Sequence, residues 1–349
     1  MIKKINEELK KDYEFVREEL LSCKRPMIFF HNDPDGLASF LLLYKFVKEG
    51  RGVTLKTNAE MGSEFLKSVH SYMPDKIFIV DKPSVSQDFI DGAKQKIIWI
   101  DHHAPVKRHK VSYINPRLKN PDINLPASYL CYKIVQQDMW ISMIGCIGDW
   151  VYPDFADEFI KQYPDLIDIK TKEPGEILFK TKLGKIIKLF SFVLKGDTKD
   201  TMDCVKILTR IEDPYELLNG ESPRVKFLMK RVEAIEKEYS HLISEAKKHA
   251  KGDVLVYIYQ DDRKSLNGDL SNELLYLYPE KIIVVGREKS GEVRLSIRAS
   301  KHILPEIINK SLEGCDGYGG GHEHAAGVNV NKKDFDKFLE KFKELVSNN

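Results

Sequence analysis

The sequence predicts an α/β protein: a parallel-sheet domain over residues 1–150 and a smaller α/β domain over residues 252–349, joined by a helical region and long linker helix over residues 151–251. Three observations carry this. Between Met27 and Asp101, apolar runs of strand length alternate with segments of helical spacing, the pattern of a parallel sheet with crossover helices. From Val151 to Gly220 the pattern turns mostly helical, and Pro223 opens a long helix in which Val225, Leu228, Val232, Ile235, Tyr239, Leu242 and Ala246 recur at alternating steps of three and four. After Gly252 the alternation of strand and helix starts again.

Taken in order, Lys3 to Ser22 reads as a covering helix, with Ile5, Leu9, Val16 and Leu20 on one face. The strand Met27 to Phe30 leads into His31-Asn32-Asp33-Pro34-Asp35-Gly36, an acidic loop, and then a helix from Leu37 to Val47. A strand at Val53 to Thr57, a helix at Gly62 to Tyr72, a strand Ile77 to Val80 ending at Asp81, a helix from Ser86 to about Gly92 and a strand Lys96 to Ile100 ending at Asp101-His102-His103 follow. The next loop carries Lys107, Arg108, Lys110, Arg117 and Lys119 and no acid until Asp122, so it is either a phosphate-holding or a solvated basic surface. Pro126 opens a helix from Ala127 to about Met139, and the apolar run Ile141 to Ile147 ends in Gly148-Asp149-Trp150. Trp99 and Trp150 are expected in the core rather than as base-stacking residues.

In the last part, strands are expected at Val254 to Tyr259, Ile282 to Val285 and Val293 to Ala299, with helices at Leu270 to Tyr278 and Leu304 to Leu312. A glycine-rich loop runs from Gly317 to Gly327, then a short strand and a helix from Lys333 to Val346. Five glycines in such a stretch suggest backbone that a ligand approaches closely, and free N–H groups beside an imidazole suit a phosphate.

Composition narrows the class. With 349 residues, 42% hydrophobic and 31% charged, the chain can build two cores, and a net charge of +2 confines any polyanion site to local clusters. No apolar stretch approaches the roughly 20 residues that span a bilayer, and Met1 to Lys11 is polar, so the expectation is a cytoplasmic protein with no membrane partner. Five scattered cysteines form no C-x-x-C pair, which argues against a zinc ribbon or a disulfide framework.

The chemistry lies in where the acids and imidazoles fall. Asp33 or Asp35 alone is explained as a helix cap, Asp81 as a turn former and His102 as a core histidine. Four such clusters following apolar runs within 150 residues are not explained that way. In an open parallel sheet ligands gather at the carboxyl ends of strands, and oxygen and imidazole donors suit Mn2+, Mg2+ or Zn2+.

These four clusters resemble the motifs of the DHH phosphoesterases, with His31-Asn32-Asp33-Pro34-Asp35-Gly36 as the first, Asp81 the second, Asp101-His102-His103 the third and Asp149 the fourth. Gly319-Gly320-Gly321-His322-Glu323-His324-Ala325-Ala326-Gly327 resembles the signature of the associated DHHA1 domain, with Ser296-Ile297-Arg298 like its S-x-R strand. The spacing of the first motif is closer to RecJ-type nucleases than to nanoRNases or family II pyrophosphatases. The resemblance implies two Mn2+ ions, or Mg2+ in their place: His31, Asp33 and Asp81 on one, Asp35, Asp81, His102 and Asp149 on the other. It further implies that Asp101 orients a ligand, that His103 faces the reacting phosphate, and that Arg298, His322 and the Gly319, Gly320 and Gly321 backbone grip the nucleotide in a cleft between the domains. The leading expectation is an exonuclease on single-stranded DNA or RNA. Its alternatives are a nanoRNA, short-oligonucleotide or cyclic-dinucleotide phosphodiesterase and a non-catalytic replication scaffold. Replication or repair proteins and a second copy of the chain are the partners left open.

Overall fold

The computed structural model describes residues 1–56, 60–260 and 264–347, and for His322 the backbone alone. It divides into two compact units, the first comprising residues 1–194 and 198–229 and the second 195–197 and 230–349.

The first unit opens with helix α1 (Ile2–Leu21), which buries Ile5, Leu9, Tyr13, Val16 and Leu20 along one stripe. Strands β1 (Pro26–His31), β2 (Arg51–Leu55), β3 (Lys76–Val80), β4 (Lys96–Ile100) and β5 (Ser112–Ile114) form one sheet in the order β2-β1-β3-β4-β5, every neighbouring pair parallel. The central strands β1, β3 and β4 are buried on both faces, which is why these runs read as continuously apolar rather than alternating. Strand β5 lies inside the stretch expected to be a basic loop, and three residues are too few to stand out by pattern. Thr57, expected at the end of β2, lies outside the described residues.

Helix α2 (Pro34–Val47) connects β1 to β2; a 3-10 turn and α3 (Leu66–Tyr72) lead to β3, and α4 (Gln87–Ala93) to β4. Helices α5 (Ala127–Val135) and α6 (Met139–Gly148) follow β5. One sheet face packs Phe29, Ile79 and Trp99 with Val69, Phe89 and Ile90 of α3 and α4. On the other, Phe30 stacks on Phe40 of α2 with centroids 4.7 Å apart. The strand order reverses between β1 and β3, the switch point where doubly wound sheets open a crevice at their carboxyl ends. Five further helices belong mainly to this unit: α7 (Ala156–Gln162), α8 (Pro174–Lys180), α9 (Lys182–Val193), α10 (Thr198–Leu208) and α11 (Pro214–Asn219).

Helix α12 (Pro223–Lys247) is the long helix expected, and all seven residues of its seam are buried within the one chain. The second unit then runs β6 (Val254–Gln260), α13 (Asn267–Leu277), β7 (Ile282–Lys289), β8 (Glu292–Arg298), α14 (Leu304–Leu312), β9 (Gly317–His322), β10 (Ala325–Asn331) and α15 (Phe335–Ser347). Its sheet has the order β6-β7-β8-β10-β9, parallel between β6 and β7 and antiparallel elsewhere. Helices α14 and α15 close its core over Val293, Leu295, Ile297, Val328 and Val330. The expected glycine-rich loop is instead a β-hairpin. Gly317 to His322 is an edge strand on β10, made by cross-strand hydrogen bonding where side-chain propensity gives no sign of a strand.

Candidate metal centre and nucleotide-binding strand

The first site is assembled from the carboxyl ends of β1, β3 and β4 and the end of α6. Asp33 caps α2 with its Oδ1 accepting from the Gly36 N–H at 2.9 Å, while its Oδ2 meets His31 Nδ1 at 2.6 Å. A β-carbon on Gly36 would sit 2.4 Å from the His31 carbonyl oxygen, so only glycine lets the helix start this close to the strand. The expected acidic loop is therefore shorter than its sequence suggests: Pro34 and Asp35 already belong to the first turn of α2. Asp35 is fully buried and accepts from the Ala127 and Ser128 N–H groups at 2.7 and 3.0 Å, where α5 begins.

Asp81 follows β3 with φ +57, in the left-handed region, and donates its N–H to the Ile100 carbonyl at 2.9 Å. Its carboxylate is buried, and among the described residues neither oxygen has a hydrogen-bond partner. Oδ1 lies 3.4 Å from His102 Nε2 and Oδ2 3.5 Å from His31 Nδ1. Asp149 caps the C-terminus of α6 and brings Oδ2 to 3.2 Å from His102 Nε2. The apolar run before it is thus a helix and not a further strand. Gly145 admits the approach of α6, since a β-carbon there would lie 2.2 Å from Ser128 Oγ and 2.8 Å from Asp35 Oδ1.

Among the described residues three groups of donors result, {His31, Asp33, Asp81}, {Asp35, His102, Asp149} and {Asp81, His102, His103}, each with its atoms within 4.8 Å of one another. Asp101 is buried beside them and holds His103 by its N–H at 3.1 Å and by Nδ1 at 2.8 Å, while Tyr113 and Asn115 donate to its other lone pairs. Asn124 fixes the far nitrogen of His102 at 3.1 Å. Asn124, Tyr113 and Asn115 have no mark in the sequence, because only tertiary packing brings them here; Lys82, which follows Asp81 directly, is fully buried.

The electrostatics are those of an anionic site short of positive charge. Burial, then the charge of Asp81, push Asp35 up to about 7, and burial and Asp35 likewise hold Asp149 well above the carboxylate range. Burial acts against ionised Asp81, yet the pull of the His102 and His31 imidazoles brings it below its ordinary value. The facing carboxylates, overcoming burial, raise His31 and His102 well above theirs. A buried carboxylate with two unsatisfied oxygens amid nitrogen and oxygen donors fits a divalent cation, which would replace the missing donors.

In the basic loop Arg108 pairs with Glu60 and donates to the Val85 carbonyl, and Lys110 pairs with Asp91, so these two of its five cations are engaged by acids. Trp99 is core and stacks on Tyr113, but Trp150 is 38% exposed.

In the second unit Arg298 ends β8, its Nε donating to Asn272 at 2.9 Å. Ala325 of β10 pairs with Arg298 on one side and with the backbone of His322 on the other, so Arg298, Ala325 and position 322 share one cross-strand row. The side chain of His322 lies outside the described residues. Gly319, Gly320 and Gly321 lie on β9.

Comparison with known proteins agrees with this architecture. Residues 25–152 match the DHH family, N-terminal domain, and residues 225–348 match the DHHA1 domain. The chain belongs to the DHH family, with a DHHA1 domain after its DHH domain. No curated protein matches it. Among solved structures it is similar to RecJ of Thermus thermophilus in complex with Mn2+, at 14% identity and a TM-score of 0.69 over 97% of this chain and 54% of that one. That relative has also been solved with Mg2+, and this chain spans about half its length. The DHH domain of a member of a family of ribosomal proteins is similar at 15% identity and a TM-score of 0.70, over 99% of this chain and 91% of that one. A pGpG-specific phosphodiesterase from Vibrio cholerae is similar at 14% identity and a TM-score of 0.50, over 93% of this chain and all of the other. At such identities the likeness is one of fold.

Proposed function

We propose that this DHH protein is a two-metal phosphodiesterase that acts as an exonuclease on single-stranded DNA or RNA. The observation that supports it most is the pair of donor groups around buried Asp81, whose two unsatisfied oxygens face opposite imidazoles. On this reading His31, Asp33 and Asp81 hold one Mn2+ and Asp35, Asp81, His102 and Asp149 the other. Bound there, two divalent cations neutralise the attacking and leaving oxygens of a phosphoryl transfer and lower the pKa of water.

The chain's own groups do the rest. Asp101 keeps the imidazole of His103 in one orientation, so that it faces the reacting phosphate without conformational cost. Asn124 keeps Nε2 of His102 turned toward Asp81 and Asp149. Arg298, His322 and the Gly319 to Gly321 backbone bind the nucleotide, an arginine because its planar fork matches phosphate oxygens.

A short-oligonucleotide or cyclic-dinucleotide phosphodiesterase is the second reading, favoured by the fold shared with the pGpG-specific enzyme and by the ion pairs that engage Arg108 and Lys110 of the basic loop. Digestion of 5'-labelled and 3'-labelled single strands and of dinucleotides, with Mn2+ and with EDTA, separates the readings. Stepwise Mn2+-dependent shortening of long strands is expected. Cleavage of dinucleotides alone would transfer the proposal to the second reading, and no cleavage of any substrate would leave a non-catalytic scaffold.

A further inference from the structure

The hairpin β9–β10 places an unusual residue beside the glycines. Tyr318 is 73% exposed, although it sits mid-strand on a sheet whose other face is a closed core. Register puts it in a cross-strand row with Asn329, Arg294 and Arg287. The next row on the same face is Gly320, Gly327 and Ser296, and the one after holds Ala325 and Arg298. Helix α13 covers this face only as far as Ser296, which it meets through Ser271 at 2.9 Å; Gly327 and Gly320 beyond it are exposed.

The result is a floor of bare backbone between two polar rows, which lie four residues apart along the strands, or about 13 Å. A β-carbon on Gly320 would meet nothing within 4 Å, so the floor is open where the strand passes Tyr318. With glycine on either side in sequence, the tyrosine has no flanking side chain to cover it. Its hydroxyl accepts from Asn329 Nδ2 at 3.3 Å, which tethers the phenol across the hairpin. Arg294, next in the row, is held by Glu292 and contributes little free charge. What the row offers is therefore an aromatic face held in place above uncovered backbone, the chemistry that receives a nucleobase.

We infer that Tyr318 stacks on a base of the bound substrate and sets how firmly the strand is held, while Arg298 at the opposite row engages phosphate. The inference rests on the nucleotide-binding reading of this unit. It names a residue outside the glycine signature and the S-x-R strand.

The test uses the full chain with Mn2+ and a 5'-labelled single-stranded DNA, alongside the same strand with abasic residues in place of its bases. Tyr318→Ala should raise KM for the ordinary strand about tenfold with kcat within twofold, as loss of one stacked base implies. Tyr318→Phe, which keeps the ring, should stay within twofold of wild type. On the abasic strand the Ala variant and wild type should have the same KM. Equal losses on ordinary and abasic strands, a Phe variant as weak as Ala, or no loss in any variant would each overturn the inference while leaving the nuclease reading intact. A wild type that cleaves neither strand would overturn both. Thermal melting of the variants checks that the fold is retained, as expected for so exposed a side chain.

Discussion

The two sheets of this protein use opposite solutions to place polar groups. In the first unit the chemistry sits off the ends of parallel strands, on side chains that are buried or nearly so: Asp35, Asp81, Asp101 and His102. In the second it lies across the face of an antiparallel hairpin, on exposed backbone and one exposed ring. On the proposed function, the difference follows from what each binds. A small cation is held by converging oxygens and nitrogens whose desolvation it repays, so the donors can be buried and left short of hydrogen bonds. A nucleotide brings large surfaces of its own and needs a flat approach, which glycine supplies by removing the β-carbon.

Substitution at the buried end should break the comparison most visibly. Asp81→Ala removes the carboxylate common to two donor groups. Hydrolysis should vanish while circular dichroism stays native; a folded variant with more than about a tenth of wild-type turnover, under about 1.4 kcal/mol of barrier, would sink the two-metal reading.

The raised values of His31, His102, Asp35 and Asp149 mean that the metal-free site carries protons near neutral pH. A cation needs those donors deprotonated, so affinity must rise with pH and fall as acid returns the protons. Between about pH 6 and 8, Mn2+ affinity should increase about tenfold per pH unit for each proton displaced. Isothermal titration in two buffers of different ionisation enthalpy counts the protons; a count of zero would mean that these residues do not receive the ion.

A smaller effect is expected one layer out. Asp101→Asn keeps an acceptor for the His103 N–H but loses the charge that holds Nδ1. Turnover should fall by roughly 10- to 100-fold with metal content and KM unchanged. A fall in metal content or melting temperature with it would show that Asp101 acts only on the fold.

At the exposed end the glycines should divide. A β-carbon at Gly319 would meet Val328 Cγ2 at 2.8 Å and the Gly327 carbonyl at 3.0 Å, whereas at Gly320 it would meet nothing. Gly319→Ala is therefore expected to cost about 1 to 3 kcal/mol of stability. Gly320→Ala should change it by less than about 0.5 kcal/mol and act on substrate affinity instead. Thermal melts of both variants decide, and equal losses would contradict the one-faced hairpin.

These contrasts also explain what was readable in the sequence. His31, Asp33, Asp81 and the Asp101 to His103 triplet stand directly after apolar runs, so strand ends and donors could be marked together. Asp149 could be marked as well, but the run before it is a helix, because a buried helix and a buried strand share the same unbroken apolar pattern. The edge strand β9 was hidden for the opposite reason: glycine has no strand preference, and only pairing with β10 makes Gly317 to His322 extended. The acids that neutralise Arg108 and Lys110 lie 48 and 19 residues away along the chain, beyond the reach of any local pattern.

The left-handed backbone at Asp81 sets durability against turnover at a single residue. A β-carbon in that conformation costs on the order of 1 to 2 kcal/mol. Against it stands the attraction between the Asp81 carboxylate and the His31 and His102 imidazoles, which glycine at position 81 would remove together with the strain. Asp81→Ala loses the same carboxylate but keeps the β-carbon, so in EDTA Asp81→Gly should melt above Asp81→Ala, and equal melting temperatures would show that the backbone there is unstrained. The chain thus keeps a costly backbone conformation at the residue whose carboxylate two donor groups share.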